Sequence, residues 1–198
     1  MFSEAVSAAA RGFVQQCQIA LGTCASDDYV AQVSALWTCL DRFPRGGDEL
    51  DVVIAATAAC RVAAGFFAPS KSHRLQLRRC ASRRAHISFL LRLAQEQYAD
   101  PQLTLGRLAR QMNFSVEFLS RSLAAETNHP FRTHLNGIRL LAGIVLLRQR
   151  SLRVSSIAAQ VGYDRTGELD RQFNRWFEIN PRRFRQLLTS VPVDRFTT

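Results

Sequence analysis

The sequence predicts an all-α protein, and three observations support that fold class. Apolar residues recur every three or four positions along most of the 198-residue chain, as they do on the buried face of an amphipathic helix. No segment sustains the apolar–polar alternation of a half-buried strand, and Val-, Ile- and Thr-rich runs bounded by turns are absent. Proline and glycine clusters separate the helical segments, so we expect a series of helices joined by breaks.

Residues 1–68 are predicted to form a small unit of three helices. Ser26 or Asp27 can cap the second helix, and Asp48 starts the third. The breaks after the three helices are Gly22, then Pro44 with Gly46 and Gly47, then Gly65 with Pro69. Their apolar faces comprise Val6, Ala9, Ala10, Phe13, Val14 and Cys17; Val30, Val33, Leu36, Trp37 and Leu40; and Leu50, Val53, Ile54, Ala58 and Val62.

A junction is predicted at residues 69–81, where proline, serines and four basic side chains cluster. It separates an N-terminal helical domain, residues 1–81, from a C-terminal domain, residues 82–198. The second domain opens with a predicted helix from Ser82 to Tyr98, which ends before Pro101.

After Pro101 the chain repeats itself. Residues 108–123, LARQMNFSVEFLSRSL, match residues 157–173, IAAQVGYDRTGELDRQF, with an offset of 49 residues before the central break and 50 after it. Between the copies, residues 131–148 predict one linker helix with Pro130 in its first turn, where a missing N–H is tolerated.

Each copy predicts a short helix, a tight break and a second helix. Ala109 and Ala158 are small enough for two helices to cross closely, and Gly162 can adopt the positive φ that a three-residue turn requires. Ser115 and Asp164 each suit the N-cap of the second helix. This pattern is typical of a helix-turn-helix, whose second helix enters the major groove of DNA. The two units are expected at about residues 105–125 and about residues 154–176.

The distribution of charge favours a polyanionic partner for the C-terminal domain. Residues 1–70 contain four basic and seven acidic side chains, whereas residues 71–198 contain 22 basic and nine acidic ones. Net charges of −3 and +13 follow from these counts. Such an asymmetry is typical of a chain with one nucleic-acid-binding part.

No motif in the sequence supports an enzyme, a cofactor or a metal site. The four histidines lack metal-ligand spacing, and paired-carboxylate, nucleophile–base and glycine-loop arrangements are missing. The five cysteines are odd in number and lack CxxC spacing, so we expect small core residues in a reducing compartment. Without a recognisable signal peptide or membrane span, the protein is expected to be cytoplasmic.

Residues 83–187 resemble the DNA-binding domain of the AraC/XylS family of bacterial transcription regulators. The resemblance lies in LTLGRLARQMNFSVEFLSRSL, IRLLAGIVLL, SSIAAQVGY and LDRQFNRWFEINPRRFR, the last being close to the family's most specific signature. It implies two helix-turn-helix subdomains joined by a long linker helix, with Arg121 and Arg171 at DNA-contacting positions. It also implies RNA polymerase as a partner, and activation rather than repression. Residues 1–82 do not resemble the cupin-type domain that many members carry.

The second unit departs from the family pattern. Glu178 replaces the usual glycine, and Arg153 is a poor helix cap. Gly167 should cost its helix about 1 kcal/mol, and Glu168 and Asp170 place carboxylates near the DNA-facing side. Gly167, Glu168 and Asp170 favour an alternative, a protein-binding regulator with a degenerate DNA-binding domain.

The predicted DNA-binding residues lie on the second helix of each unit, and residues 165–176 form that helix in the second unit. Leu169, Phe173 and Trp176 are expected to hold it to the core. Arginine donors suit guanine or phosphate, whereas a carboxylate such as that of Glu117 can only accept, for example from cytosine N4. The full set is Val116, Glu117, Ser120 and Arg121 in the first unit, and Arg165, Thr166, Gly167, Asp170, Arg171 and Arg175 in the second.

Double-stranded DNA is the principal predicted partner, and the role of the N-terminal helices stays open. Their apolar faces, including Phe13, Trp37 and Val53, need a neighbour, and a homodimer through residues 1–68 is one hypothesis. A small-molecule or protein effector is another. A DNA-repair regulator with a reactive cysteine is a further alternative, against which the unclustered cysteines count.

Overall fold

The fold consists of helices joined by short connections. The computed structural model describes residues 7–24, 29–44, 49–67 and 82–190. These residues form ten α-helices and no strand, which confirms the all-α class. None of the described helices is both long and apolar enough to cross a lipid bilayer. The helices are α1 (Ala8–Cys24), α2 (Tyr29–Asp41), α3 (Glu49–Phe66), α4 (Arg83–Gln97), α5 (Leu105–Met112), α6 (Val116–Thr127), α7 (Phe131–Leu147), α8 (Val154–Gln160), α9 (Thr166–Phe177) and α10 (Pro181–Ser190).

The first three helices pack against one another, with α1 in contact with both α2 and α3. Phe13 of α1 and Leu36 of α2 are buried in this packing. α1 continues through Gly22, beyond its predicted end, because a glycine permits a break without enforcing one. The predicted caps Ser26, Asp27 and Asp48 and the predicted junction, residues 69–81, lie outside the described residues.

The cysteines whose side chains are described, Cys17, Cys39 and Cys60, are free and buried, as predicted. The Sγ atoms of Cys17 in α1 and Cys39 in α2 lie 2.9 Å apart. This hydrogen bond, together with burial, raises the pKa of the Cys17 thiol. A protonated, enclosed thiol behaves as a small apolar residue, so these cysteines act as packing groups.

The N-terminal helices also pack against the C-terminal domain. α2 contacts α4 and α6, and α3 contacts α7 and α10. The ring of Trp37 lies 5.2 Å from that of Trp176, and the ring of Phe43 lies 4.6 Å from that of Phe177. One hydrophobic core therefore includes residues of both parts. The expected neighbour of the apolar faces is present within the same chain, because Trp37 and Val53 are already buried there, and a homodimer stays an untested prediction.

Side-chain caps start α4 and α5, the first two helices of the C-terminal domain. The Ser82 hydroxyl accepts from the backbone N–H of Ala85 at 3.2 Å, which starts α4 where the sequence predicts it. Thr104 caps α5 in the same way. Pro130 precedes α7 as its N-cap instead of lying in its first turn, because its ψ of 157° is extended, as in other cap residues.

Candidate nucleic-acid interface

The two repeated units share one turn geometry. In the first unit Asn113 has a φ of 61°, and the next backbone N–H donates to the carbonyl of Ala109 at 3.0 Å. In the second unit Gly162 has a φ of 88°, and the next backbone N–H donates to the carbonyl of Ala158, also at 3.0 Å. The predicted positive φ of Gly162 is confirmed. Residues 49 positions apart in the two units, such as Asn113 and Gly162, occupy equivalent places in the turn.

After the break the second unit is one residue longer, which changes the residue that caps its second helix. Ser115 caps α6, as predicted, by accepting from the backbone N–H three residues on at 3.1 Å. The N-cap of α9 is Arg165, whose side chain makes no capping hydrogen bond, so the predicted cap at Asp164 is wrong. The 50-residue offset after the break pairs Ser115 with Arg165 and leaves Asp164 as the inserted residue. α9 accordingly spans Thr166–Phe177, one residue later than predicted.

The second helix of the first unit, α6, exposes the four residues predicted for it. Val116 is 41% exposed, and Glu117, Ser120 and Arg121 are exposed beside it. Leu119, on the other side of α6, is fully buried. The exposed apolar side chain of Val116 has the chemistry to contact an apolar group such as the methyl group of thymine.

α9 exposes the equivalent face of the second unit. Leu169, Phe173 and Trp176 are buried, as predicted, which turns the opposite side of the helix outward. Among the predicted residues, Arg165, Gly167, Arg171 and Arg175 are exposed, Asp170 is half-buried, and the side chain of Thr166 lies outside the described part.

Arg171 and its counterpart Arg121 differ in their local partners. Nη1 of Arg171 lies 3.0 Å from Oε2 of Glu168, and the Arg171 side chain is 76% exposed. Nε of Arg121 donates to the backbone carbonyl of Glu117 at 3.4 Å, and no described carboxylate pairs with it. The pair on α9 reduces the positive charge that this helix presents, although an exposed pair contributes only about 0–1 kcal/mol.

α6 and α9 also end in the same way. Asn128 has a φ of 58° and Glu178 a φ of 57°, and each donates its backbone N–H to the carbonyl four residues earlier. Glu178 therefore adopts the left-handed conformation that the usual glycine adopts more readily, at a cost of roughly 1 kcal/mol.

A basic groove lies beside α9, and the sequence did not predict it. The groove is open, has a volume of about 750 Å³, and is bounded by the start of α8, by α9 and by α10. Nε and Nη2 of Arg185 are buried and have no hydrogen-bond partner among the described residues. Unpaired buried donors are costly, so this groove suits an anion with oxygen acceptors. Its lining comprises Arg153, Val154, Ser155, Asp170, Asn174, Asn180, Arg182, Arg185 and Gln186.

Comparison with known proteins places these units in a family. Residues 108–187 match a family of helix-turn-helix domains. The chain is 30% identical over 102 residues to the HTH-type transcriptional activators RhaS of Escherichia coli O139:H28 and of Shigella boydii serotype 18. These alignments cover 52% of this chain and 36% of each relative, so the chain spans about a third of the length of the curated relatives it matches.

Two solved structures are similar over about half of the chain. One is the C-terminal domain of the two-component response regulator yesN from Fusobacterium nucleatum, with 27% identity, a TM-score of 0.46, and coverage of 49% of this chain and 94% of that chain. The other is the C-terminal domain of AraT, a response regulator from Geobacillus stearothermophilus, with 25% identity, a TM-score of 0.49, and coverage of 57% and 90%.

The two helix-turn-helix units and the family match define a helix-turn-helix domain, the class of domain whose second helix enters the major groove of DNA. Residues 108–187 form a helix-turn-helix domain of the AraC/XylS family, as the sequence resemblance predicted.

Two features of the site are absent from the sequence-based predictions. Arg182 and Arg185 belong to the signature stretch but received no role, although their spacing of three residues places them on one face of α10. The sequence predicts Trp37 on the apolar face of an N-terminal helix, and in the structure it contacts residues of the C-terminal domain. Sequence spacing can reveal a shared helix face, but it carries no signal for a contact between distant segments.

Proposed function

We propose that this protein is a transcription regulator that binds specific DNA sequences and reads two successive major grooves with α6 and α9. The observation that carries the proposal is that both helices expose the same face of a repeated unit, with Arg121 and Arg171 at equivalent positions. α7 joins the units through 17 residues, or about 26 Å at 1.5 Å per residue. That length is comparable to the roughly 34 Å between successive turns of the major groove.

The chemistry of each predicted residue suggests its role. The forked donors of Arg121 and Arg171 match O6 and N7 of guanine, and Val116 matches the methyl group of thymine. Glu117 can accept from cytosine N4 and repels phosphate, so it would restrict the sequences that the first unit accepts. The flanking contacts are proposed to come from Ser120, Arg165, Thr166, Gly167, Asp170 and Arg175.

The basic groove is proposed to hold a backbone phosphate beside α9. A phosphate oxygen would accept from the buried Nε and Nη2 of Arg185, while Arg153 and Arg182 supply further positive charge. Contacts of this kind fix the register of a protein on DNA without specifying bases.

The regulatory role rests on likeness to relatives. The RhaS proteins are transcriptional activators by name, and on that likeness we propose activation in the cytoplasm with RNA polymerase as a partner. Residues 82–198 would bind DNA, while residues 1–81 would serve another role. We further propose that residues 1–81 respond to an effector or form a homodimer through residues 1–68. Sedimentation of the full chain with and without candidate ligands tests both proposals.

A second candidate is a protein-binding regulator that no longer reads DNA. The ion pair between Glu168 and Arg171 favours it, because the pair reduces the positive charge that α9 presents. The exposed Gly167 favours it as well, because glycine lowers the stability of the helix. This candidate predicts no measurable affinity for duplex DNA at low salt.

Binding to duplex DNA as a function of salt separates the two candidates. With roughly six to eight phosphate contacts, log K should fall against log salt with a slope of about −5 to −7. Sites selected by the full chain from a random duplex pool provide the specific probe. A variant with Arg121→Ala and Arg171→Ala should lose specificity, whereas Arg42→Ala, at an exposed arginine just after α2, should not. A flat salt response would contradict the proposal.

A further inference from the structure

Trp37 of α2 lies where the two helix-turn-helix units and their linker helix meet. Its ring lies 5.4 Å from that of His129, just after α6, and 5.2 Å from that of Trp176 in α9. Its indole Nε1–H donates to Nδ1 of His134 in α7 at 3.0 Å. The side chain is only 3% exposed. One residue of the N-terminal helices thus contacts the connection between α6 and α7, α7 itself, and α9.

α7 accommodates this ring only because residue 137 is glycine. A Cβ atom on Gly137 would lie 2.3 Å from Cη2, 2.8 Å from Cζ2 and 3.1 Å from Cζ3 of Trp37. The far end of an indole is rigid, and aromatic neighbours on α7 and α9 prevent its retreat. Glycine in a helix interior lowers helix stability, and the close approach of the ring explains its presence here.

Further contacts connect the same parts of the fold. The ring of Phe43, just after α2, lies 4.6 Å from that of Phe177 at the end of α9. α3 packs against α7 and α10, while α2 packs against α4 and α6. Because Val116, Arg121 and Arg171 stay exposed, the N-terminal helices contact the units without covering their recognition faces.

We infer that Trp37 is a positioning residue, through which the N-terminal helices fix the orientation of α6 relative to α9. The inference rests on the proposed function, since it concerns how two recognition helices engage one DNA site. A protein whose two units are held rigidly binds half-sites at one spacing, because it has no freedom to follow an insertion. The N-terminal helices thereby contribute to DNA specificity without touching DNA.

The test compares affinities for duplexes that differ only in half-site spacing. The probes are the site selected by the wild-type chain from a random 30-base-pair pool, derivatives with one or two base pairs inserted between the half-sites, and a duplex with one half-site. Gly137→Ala adds a methyl group against the Trp37 ring. Gly12→Ala is the matched control, because a Cβ there meets no atom within 4 Å. Trp37→Phe in the Gly137→Ala background removes the atoms that clash.

The wild type and Gly12→Ala should prefer the selected spacing. The Gly137→Ala variant should bind the site of selected spacing with roughly tenfold lower affinity and keep its affinity for the single half-site. It should also discriminate less against the sites with insertions. Trp37→Phe should restore much of the loss in the Gly137→Ala background. If Gly137→Ala fails to fold, Trp37→Phe alone, which lacks the indole donor, should weaken the spacing preference. An unchanged preference in folded variants would overturn this inference alone, whereas a wild type that binds no duplex would overturn the proposed function with it.

Discussion

Arg139 donates from Nε to the backbone carbonyl of Tyr98 at 2.9 Å. Its Nη2 also donates to the carbonyl of Asp100 at 2.8 Å, and its guanidinium lies 5.3 Å above the ring of Tyr163. Arg139 belongs to α7, the two carbonyls precede α5, and Tyr163 belongs to the turn of the second unit. The buried side chain of Arg139 therefore links three parts of the fold: the connection before the first unit, the linker helix, and the turn of the second unit.

Arg139→Lys should lower the free energy of unfolding by roughly 1–3 kcal/mol, because one ammonium cannot satisfy both carbonyls in the geometry of a fork. Urea denaturation of the full chain measures the change. Arg132→Lys, at an exposed position of the same helix, should stay within about 0.5 kcal/mol of the wild type. Equal effects of the two variants would show that the carbonyl contacts contribute nothing to stability.

His134 should make stability depend on pH. Burial, with a contribution from His129, lowers the pKa of His134 to about 4, against about 6.5 in the unfolded chain. Because the unfolded state binds the proton more readily, stability is complete above about pH 6.5 and falls as pH drops towards 4, by up to roughly 3 kcal/mol. The neutral ring accepts from Trp37, and its Nε2 lies 2.8 Å from the Thr127 hydroxyl.

The measurement is the free energy of unfolding from pH 4.5 to 7.5 for the wild type and for His134→Gln. Carboxylates titrate in the same range in both proteins, so the difference between the curves isolates the histidine. We expect this difference to shrink as the pH falls. Parallel curves would mean that His134 is protonated equally readily in the folded and unfolded states.

Arg121→Ala should weaken binding to a selected site by roughly 1–3 kcal/mol, and Arg171→Ala should weaken it less. The ranking follows from Glu168, which already neutralises part of the charge of Arg171. Glu168→Gln should accordingly increase affinity a few-fold, because it releases Arg171 at nearly constant volume. Anisotropy titrations measure these changes. A larger loss at Arg171 would reverse the ranking and leave the assignment of both arginines intact.

Arg185→Gln should weaken binding to all duplexes about equally and reduce the salt slope by about 1, as removal of a phosphate contact does. The reason is that the unpaired Nε and Nη2 of Arg185 line the basic groove beside α9. Arg42→Gln removes the same charge from the N-terminal unit and should leave the slope unchanged. A sequence-dependent loss at Arg185 would indicate a base contact instead.

Two glycines of the second unit should respond oppositely to alanine. In Gly162→Ala the Cβ would lie 2.5 Å from the carbonyl oxygen of Tyr98, and φ at this position is 88°. We therefore expect the free energy of unfolding to fall by more than about 1 kcal/mol. In Gly167→Ala the Cβ meets nothing within 4 Å, and the variant should gain up to about 1 kcal/mol in helix stability. Thermal unfolding distinguishes the two, and a stabilised Gly162→Ala would refute the turn geometry.

The helices and the repeat could be predicted because both depend on local sequence. The start of α4 follows from the Ser82 cap, and the turn of the second unit follows from Gly162. The cap of α9 was misplaced because Asp164 has the better capping side chain, although the offset already paired Arg165 with Ser115. Chain geometry overrode side-chain preference at that position.

The packing of the N-terminal helices could not be predicted, because periodicity shows which side of a helix is buried and does not show what buries it. Trp37 has the same apolar pattern whether it meets a second protomer or Gly137 of its own chain. The basic groove could not be predicted for the same reason. Arg153 and Arg185 lie far apart in the sequence and come together only when α8 and α10 pack around α9.

The fit of the Trp37 ring against Gly137 also bears on how such a regulator can diversify. Replacing residues 1–68 with an unrelated sensor would leave the notch at Gly137 empty and expose Trp176 and Phe177 to water. A hybrid gene made at this boundary would therefore encode a protein with half of a shared core missing. A functional exchange of the N-terminal helices is therefore expected to need matched substitutions on both sides of the contact.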